Sequence, residues 1–195
     1  LSGNTLIANT VSNTAFQTGS VENYMSSQGT AFGMRNKLIN GGMAISQRGT
    51  AFVNSLNSYG LDRWRSYGGP GNVTMSQQFQ PSTFSATGYN LRFGRTSGDT
   101  QTYTIGVVQG IESKNSYCLA GKTVTLSFKC VRGGNFSSAS NALAVLVYYG
   151  TGTDENPVGM TGQSTAFSST ITVPGSVTPF SITGSIPSNA TQVTV

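Results

Sequence analysis

Histidine is missing from this 195-residue chain, and acidic side chains number only six. The first absence removes every Ser-His-Asp or Cys-His nucleophilic arrangement and every histidine-based metal site. The second leaves glycoside hydrolysis, which needs two carboxyls flanking a bond, with Glu22, Asp62, Asp99, Glu112, Asp154 and Glu155 as its whole supply. Asp154 and Glu155 are neighbours in one polar loop and would not oppose each other across a sugar. Asp62 and Glu112 each have a nearer structural use. The expectation is a protein that is not an enzyme.

Charge is scarce in general. Charged residues make up 9% of the chain, against about 25% in an average domain. The net charge of +5 comes from eleven Lys and Arg, scattered singly apart from Arg35/Lys37 and Arg63/Arg65. A nucleic-acid footprint needs a clustered basic patch interleaved with stacking aromatics, and none is present. A mild attraction to anionic glycans or cell surfaces is compatible with this charge.

Cysteine occurs twice, at Cys118 and Cys130, in a spacing that matches no metal signature. Cys130 continues the apolar phase of Val124, Leu126 and Phe128, which reads as a small buried hydrophobe. A Cys118–Cys130 disulfide across adjacent strands stays open. Two unpaired thiols would suit assembly in a reducing cytoplasm and release at lysis. No apolar run reaches membrane-spanning length, and no basic start leads into an apolar signal core. A first residue Leu1 and a strand-like Gln192–Val195 lead us to expect a fragment of a longer polypeptide.

What is abundant is Gly, 25 of 195 residues, together with Ser, Thr and Asn around interleaved Val, Phe and Tyr. Residues 1–34 show no sustained period and read as an extended connector, with one or two helical turns conceivable at Val21–Gln28. Residues 35–195 read as short strands between glycine corners, an all-β sandwich. The strands expected are Leu38–Ile39, Ala44–Gln47, Arg63–Tyr67, Val73–Phe79, Asn90–Phe93, Thr102–Gln109, Thr123–Val131, Ala142–Tyr149, Ser164–Thr172, Thr178–Ile182 and Gln192–Val195. Several alternate apolar and polar residues, clearest at Val73–Phe79, Tyr103–Val107 and Val124–Cys130. Leu143–Tyr149 is apolar on both faces, so it is either covered on both sides or turned on one face toward a neighbouring subunit.

The densest cluster of signals runs through Arg35-Asn36-Lys37-Leu38-Ile39-Asn40-Gly41-Gly42-Met43-Ala44-Ile45-Ser46-Gln47-Arg48-Gly49, then Tyr59 and Asp62-Arg63-Trp64. Trp64 is assigned to the space between sheets, where its large apolar ring and single N–H donor are satisfied. The alternative is an exposed platform for sugar stacking. Asp62 is expected to cap the turn or pair with an arginine such as Arg48. Arg48 is expected to reach backbone carbonyls or a carboxylate, Asp62 or Glu112, fixing register more than adding stability. Arg48, Asp62, Trp64 and Glu112 are thus candidate structural residues.

Candidate glycan-contacting aromatics are Tyr59, Tyr67, Tyr89 and Tyr149, in or near loops where a sandwich forms its binding faces; Phe136 and Tyr148 belong to the same pool. The loop Gly150–Pro157 sets Asp154 and Glu155 at a spacing that makes them a weak Ca²⁺ candidate. It lacks the EF-hand pattern, and a solvated turn is the preferred reading.

The block above, with Gln109-Gly110-Ile111-Glu112 and Leu119–Phe128 downstream, resembles one in the distal, carbohydrate-module-like sandwich domain of bacteriophage tail fibre proteins. The resemblance spans roughly residues 20 to 150. It implies a jelly-roll-like sandwich behind a shaft-to-head connector, a homotrimeric virion component associated with other tail proteins, and attachment to host-surface glycan. It implies further strands beyond residue 195, and no glycosylation at the Asn-x-Ser/Thr sites Asn72, Asn135 and Asn189. Two rivals accompany it: an architectural virion piece without receptor binding, and a carbohydrate-binding module of a secreted glycan-degrading enzyme.

Overall fold

The computed structural model describes residues 36–53, 57–69, 72–80 and 87–195. The chain divides into two units, Leu1–Asn36 and Lys37–Val195; the expected connector and Glu22 lie outside the described residues. The second unit is all-β. Its strands are β1 (Ala51–Val53), β2 (Arg65–Gly68), β3 (Val73–Phe79), β4 (Tyr89–Arg95), β5 (Ile105–Val108), β6 (Gly110–Ile111), β7 (Thr123–Cys130), β8 (Ala142–Gly150), β9 (Ser164–Thr172), β10 (Thr178–Ser185) and β11 (Gln192–Thr194). One helical turn, α1 (Ser113–Ser116), runs into a 3₁₀ turn at Tyr117–Leu119. The strands pair antiparallel into four sheets, ordered β1-β3-β4, β2-β5, β10-β7 and β6-β11-β8-β9.

Strict alternation builds β7. Val124, Leu126, Phe128 and Cys130 turn inward while Thr123, Thr125, Ser127 and Lys129 face water. Its partner β10 sets Phe180 opposite Phe128 and Ile182 opposite Leu126, with the two phenyl rings 5.9 Å apart. Gly184 of β10 has no room for a side chain, because the Phe167 ring of β9 fills that space. This contact seats the β7–β10 pair on the four-stranded sheet, two layers of a sandwich. Between them Ile111, Val147, Ile186, Ala190 and Val193 are buried, with Val124, Leu126 and Phe167 packed alongside.

The two-faced strand β8 lies inside its sheet, between β11 and β9. Val145 and Val147 are buried, Leu146 and Tyr148 are half-buried, and Leu143 is exposed. The register slips between Val147 and Tyr148, a bulge that re-aims the end of the strand. A second core gathers Leu61, Trp64 and Met75, with Met43, Phe52, Leu91, Phe93 and Val107 around them. Val195 packs against both cores.

Two expected strands are absent. Residues 38–39 and 44–47 carry no strand pairing; side chains reach in to bond their backbone instead. Gln109, 1% exposed, accepts from Ile39 N at 2.7 Å and donates to Ile39 O at 2.8 Å. Trp64 Nε1 donates to Asn40 O at 3.1 Å, Thr87 Oγ1 to Gly42 O at 2.8 Å, and Gln77 Nε2 to Met43 O at 2.6 Å. Asn40 adopts φ +54°, and its side chain bonds both N–H and C=O of Ile45. Backbone polar groups need partners, and here the body of the domain supplies them without a ladder. The strand expected at Thr102–Gln109 is confined to β5, and the short β1 and β6 carried no recognised signal.

Candidate functional site

Beside the second core the chain folds back on itself between Ser58 and Ser66. Gly60 N donates to Trp64 O at 3.1 Å and Ser66 N to Ser58 O at 2.9 Å, flanking an isolated bridge between Tyr59 and Arg65. This pattern makes Tyr59 and Arg65 a non-hydrogen-bonded pair, the type in which facing side chains stand closest and on the same side. At the tip, Trp64 N donates to Leu61 O at 2.9 Å, and Arg63 takes φ +74°. Arg63 is anchored by an ion pair with Glu112.

Tyr59 and Arg65 line an open cleft of about 420 Å³, completed by Asn57 and by Asp154, Glu155, Asn156 and Pro157 of the β8–β9 loop. Tyr59 is 43% exposed. The Arg48 guanidinium lies 5.7 Å from the centre of its ring and donates to Tyr59 O at 3.4 Å. Arg65 NH1 donates to Asn156 Oδ1 at 3.0 Å, tying the two walls together.

The loop wall is held from several sides. Buried Gln192 accepts from Glu155 N at 2.8 Å and donates to Glu155 O at 2.7 Å. The Glu155 carboxylate accepts from Thr161 N and Thr161 Oγ1, each at 2.6 Å, and these bonds hold it below the usual glutamate range against slight desolvation. Asp154 Oδ1 accepts from Ser113 N at 2.7 Å, and Asp154 N donates to Ser113 Oγ at 2.9 Å. Asn156 Oδ1 also accepts from Val158 N at 3.1 Å. A loop so fixed costs little ordering entropy when a ligand arrives.

The structure therefore brings Tyr59, Asp154 and Glu155 together and disperses the other candidates. Tyr149 is half-buried against the first core and does not line the cleft. Tyr89 packs on Phe79 with ring centres 5.0 Å apart, and Tyr67 stands on β2, 38% exposed. Trp64 is 9% exposed with its N–H satisfied, so it is no platform. Asp62 Oδ2 accepts from Gln47 N at 2.7 Å. The arginine on Glu112 is Arg63, not Arg48, whose partners are the Tyr59 ring and carbonyl. Asp154 and Glu155 bond to different donors, and among the described residues no cluster of three or more Cys, Asp or Glu side chains could hold a metal ion. Cys118 and Cys130 are both free thiols.

Sequence reasoning did not single out Arg65, Asn57 or Asn156 as site residues, nor Gln192 behind them. The only local hint was the Arg63/Arg65 pair beside Tyr59. It also passed over Tyr117, 82% exposed on the 3₁₀ turn. No family model, no curated protein and no solved structure matches the chain.

Proposed function

We propose that this domain is an adhesion module of a phage tail fibre, a jelly-roll-like sandwich that attaches the virion to host-surface glycan through the cleft between Tyr59 and the Asp154–Pro157 loop. The observation that carries the reading is the pairing of an exposed aromatic face with convergent polar groups on a pre-fixed loop. Sugar rings offer apolar C–H faces to a tyrosine and hydroxyls to amides, carboxylates and guanidinium groups. Weak single sites become effective through copies, and a trimeric fibre tip would present three. Within the cleft, Glu155 is held below its ordinary value by its bonds to Thr161, which suits a hydrogen-bond acceptor rather than the general acid of glycoside cleavage, whose value is raised.

A bacterial glycan array probed with the full chain, alongside Tyr59→Ala, tests the reading. Retention of specific glycans by the native protein, reduced at least tenfold in the variant, is the expected result. Absence of retention at any density, or equal retention by both proteins, rejects it. One observation favours the architectural rival: Phe79 at the end of β3 is 61% exposed, a large apolar side chain suited to a neighbouring subunit. That rival predicts a stable trimer with no glycan retained.

A further inference from the structure

Resting on that reading, we infer that the cleft is built for an acidic sugar, a carboxylate-bearing uronate or sialate residue, rather than for a neutral one. The cross-strand register puts the Arg65 and Tyr59 side chains on one face of the hairpin, and both line the cleft. Among the described residues, one Arg65 guanidinium nitrogen is used, NH1 on Asn156 Oδ1. Among the described residues neither Arg65 nor Arg48 forms an ion pair; the salt bridges belong to Arg63 with Glu112 and Arg95 with Asp99. A guanidinium steadied by one neutral amide keeps the rest of its planar donor fork for a ligand, and that fork matches a carboxylate bidentately.

The acids lining the cleft are spent differently. Both Glu155 oxygens already accept from Thr161, and Asp154 has one oxygen on Ser113 N. Its second oxygen suits a sugar hydroxyl. The unfilled donors are cationic and the acceptors are largely filled, so the hydrogen bonds left for a ligand come mostly from the Arg65 fork, whose charge partly offsets the two carboxylates of the lining. Arg48, whose guanidinium lies 5.7 Å from the centre of the same ring, adds a second positive charge. A sugar whose ring stacks on Tyr59 with its carboxylate turned to Arg65 fits both features at once.

Glucuronate-containing tetrasaccharides and α-linked sialic acid oligomers, each beside its carboxyl-reduced neutral counterpart, provide matched probes for calorimetry with the full chain. At least one acid form is expected to bind tenfold or more tightly than its reduced partner, with an affinity that falls as salt rises. Arg65→Gln should erase that preference, and Arg65→Lys, which keeps the charge but not the fork, should retain part of it; thermal melts confirm that each variant folds. Equal binding of acid and reduced forms overturns the inference. So does retention of neutral glycans alone, which would leave the adhesion reading standing. Failure to bind any glycan on the array as well removes both.

Discussion

Gln192 holds Glu155 by both ends of its side-chain amide, as Gln109 holds Ile39. Each glutamine is buried, at 2% and 1% exposure, and each acts as one rung of a ladder for a segment that has none. Replacing either with Leu strands a backbone donor and acceptor, an expected loss of roughly 1–3 kcal/mol in urea unfolding. Only Gln192→Leu should also weaken glycan retention, because only Glu155 lies on the cleft. Equal effects of the two variants on binding would contradict this division.

Arg63 occupies a left-handed backbone position, φ +74°, that favours glycine. Its side chain compensates through Glu112 and a 3.4 Å bond to Gly110 O. Arg63→Ala keeps the strain and loses the anchor, whereas Arg63→Gly loses the anchor and relieves the strain. The alanine variant should therefore be less stable than the glycine variant by about 1 kcal/mol. Thermal denaturation of the pair decides it, and an alanine variant as stable as the glycine variant refutes the account.

Acid should unfold the domain in one window. Asp99 is held below its ordinary 3.8 by backbone N–H groups of Gln101 and Asn72, which outweigh desolvation, with Arg95 adding to them. At Glu112 desolvation pushes upward, yet its own backbone N–H, Asn115 and Arg63 together carry it below 4.5. A depressed folded value means the native state binds its proton more weakly than the unfolded chain does. The stabilisation is then complete above the unfolded values and is lost as pH falls through the folded ones. With no histidine in the chain, the melting temperature should be level from pH 7 to about 5 and decline below about 4.5. A drop between pH 7 and 6 would be inconsistent with these groups as the cause.

The two thiols should separate kinetically. Cys118 is exposed, while Cys130 is half-buried on the inward face of β7, where burial pushes its thiol above the usual range. A disulfide reagent at mild alkaline pH should modify Cys118 promptly and Cys130 only slowly, until denaturant is added. Simultaneous modification would show that the β7 face is not closed.

How far these features could be read in advance depends on where their partners lie. Alternation located β3 to the residue and the inward face of β7, and the expected Ser164–Thr172 matches β9, because each strand's signal is local. It failed at residues 38–47, where Gln109, Trp64, Gln77 and Thr87 supply backbone partners from distant positions. Tyr149 looked like a loop aromatic, but it follows the buried phase of Val145 and Val147 into the core. Tyr59 was recognisable beside its glycine; Arg65 was not, since its role depends on a cross-strand partner and on Asn156, a long way along the chain.

Val195 touches the Ile111–Val193 core and the Leu61–Met75 core alike, and its backbone exchanges two hydrogen bonds with Gln109 at 2.9 and 3.1 Å. One side chain thus serves as a common wall between two oily compartments. Loosening either compartment opens the other, so a melt followed by Trp64 fluorescence should coincide with one followed by backbone dichroism, and the domain should come apart in a single step.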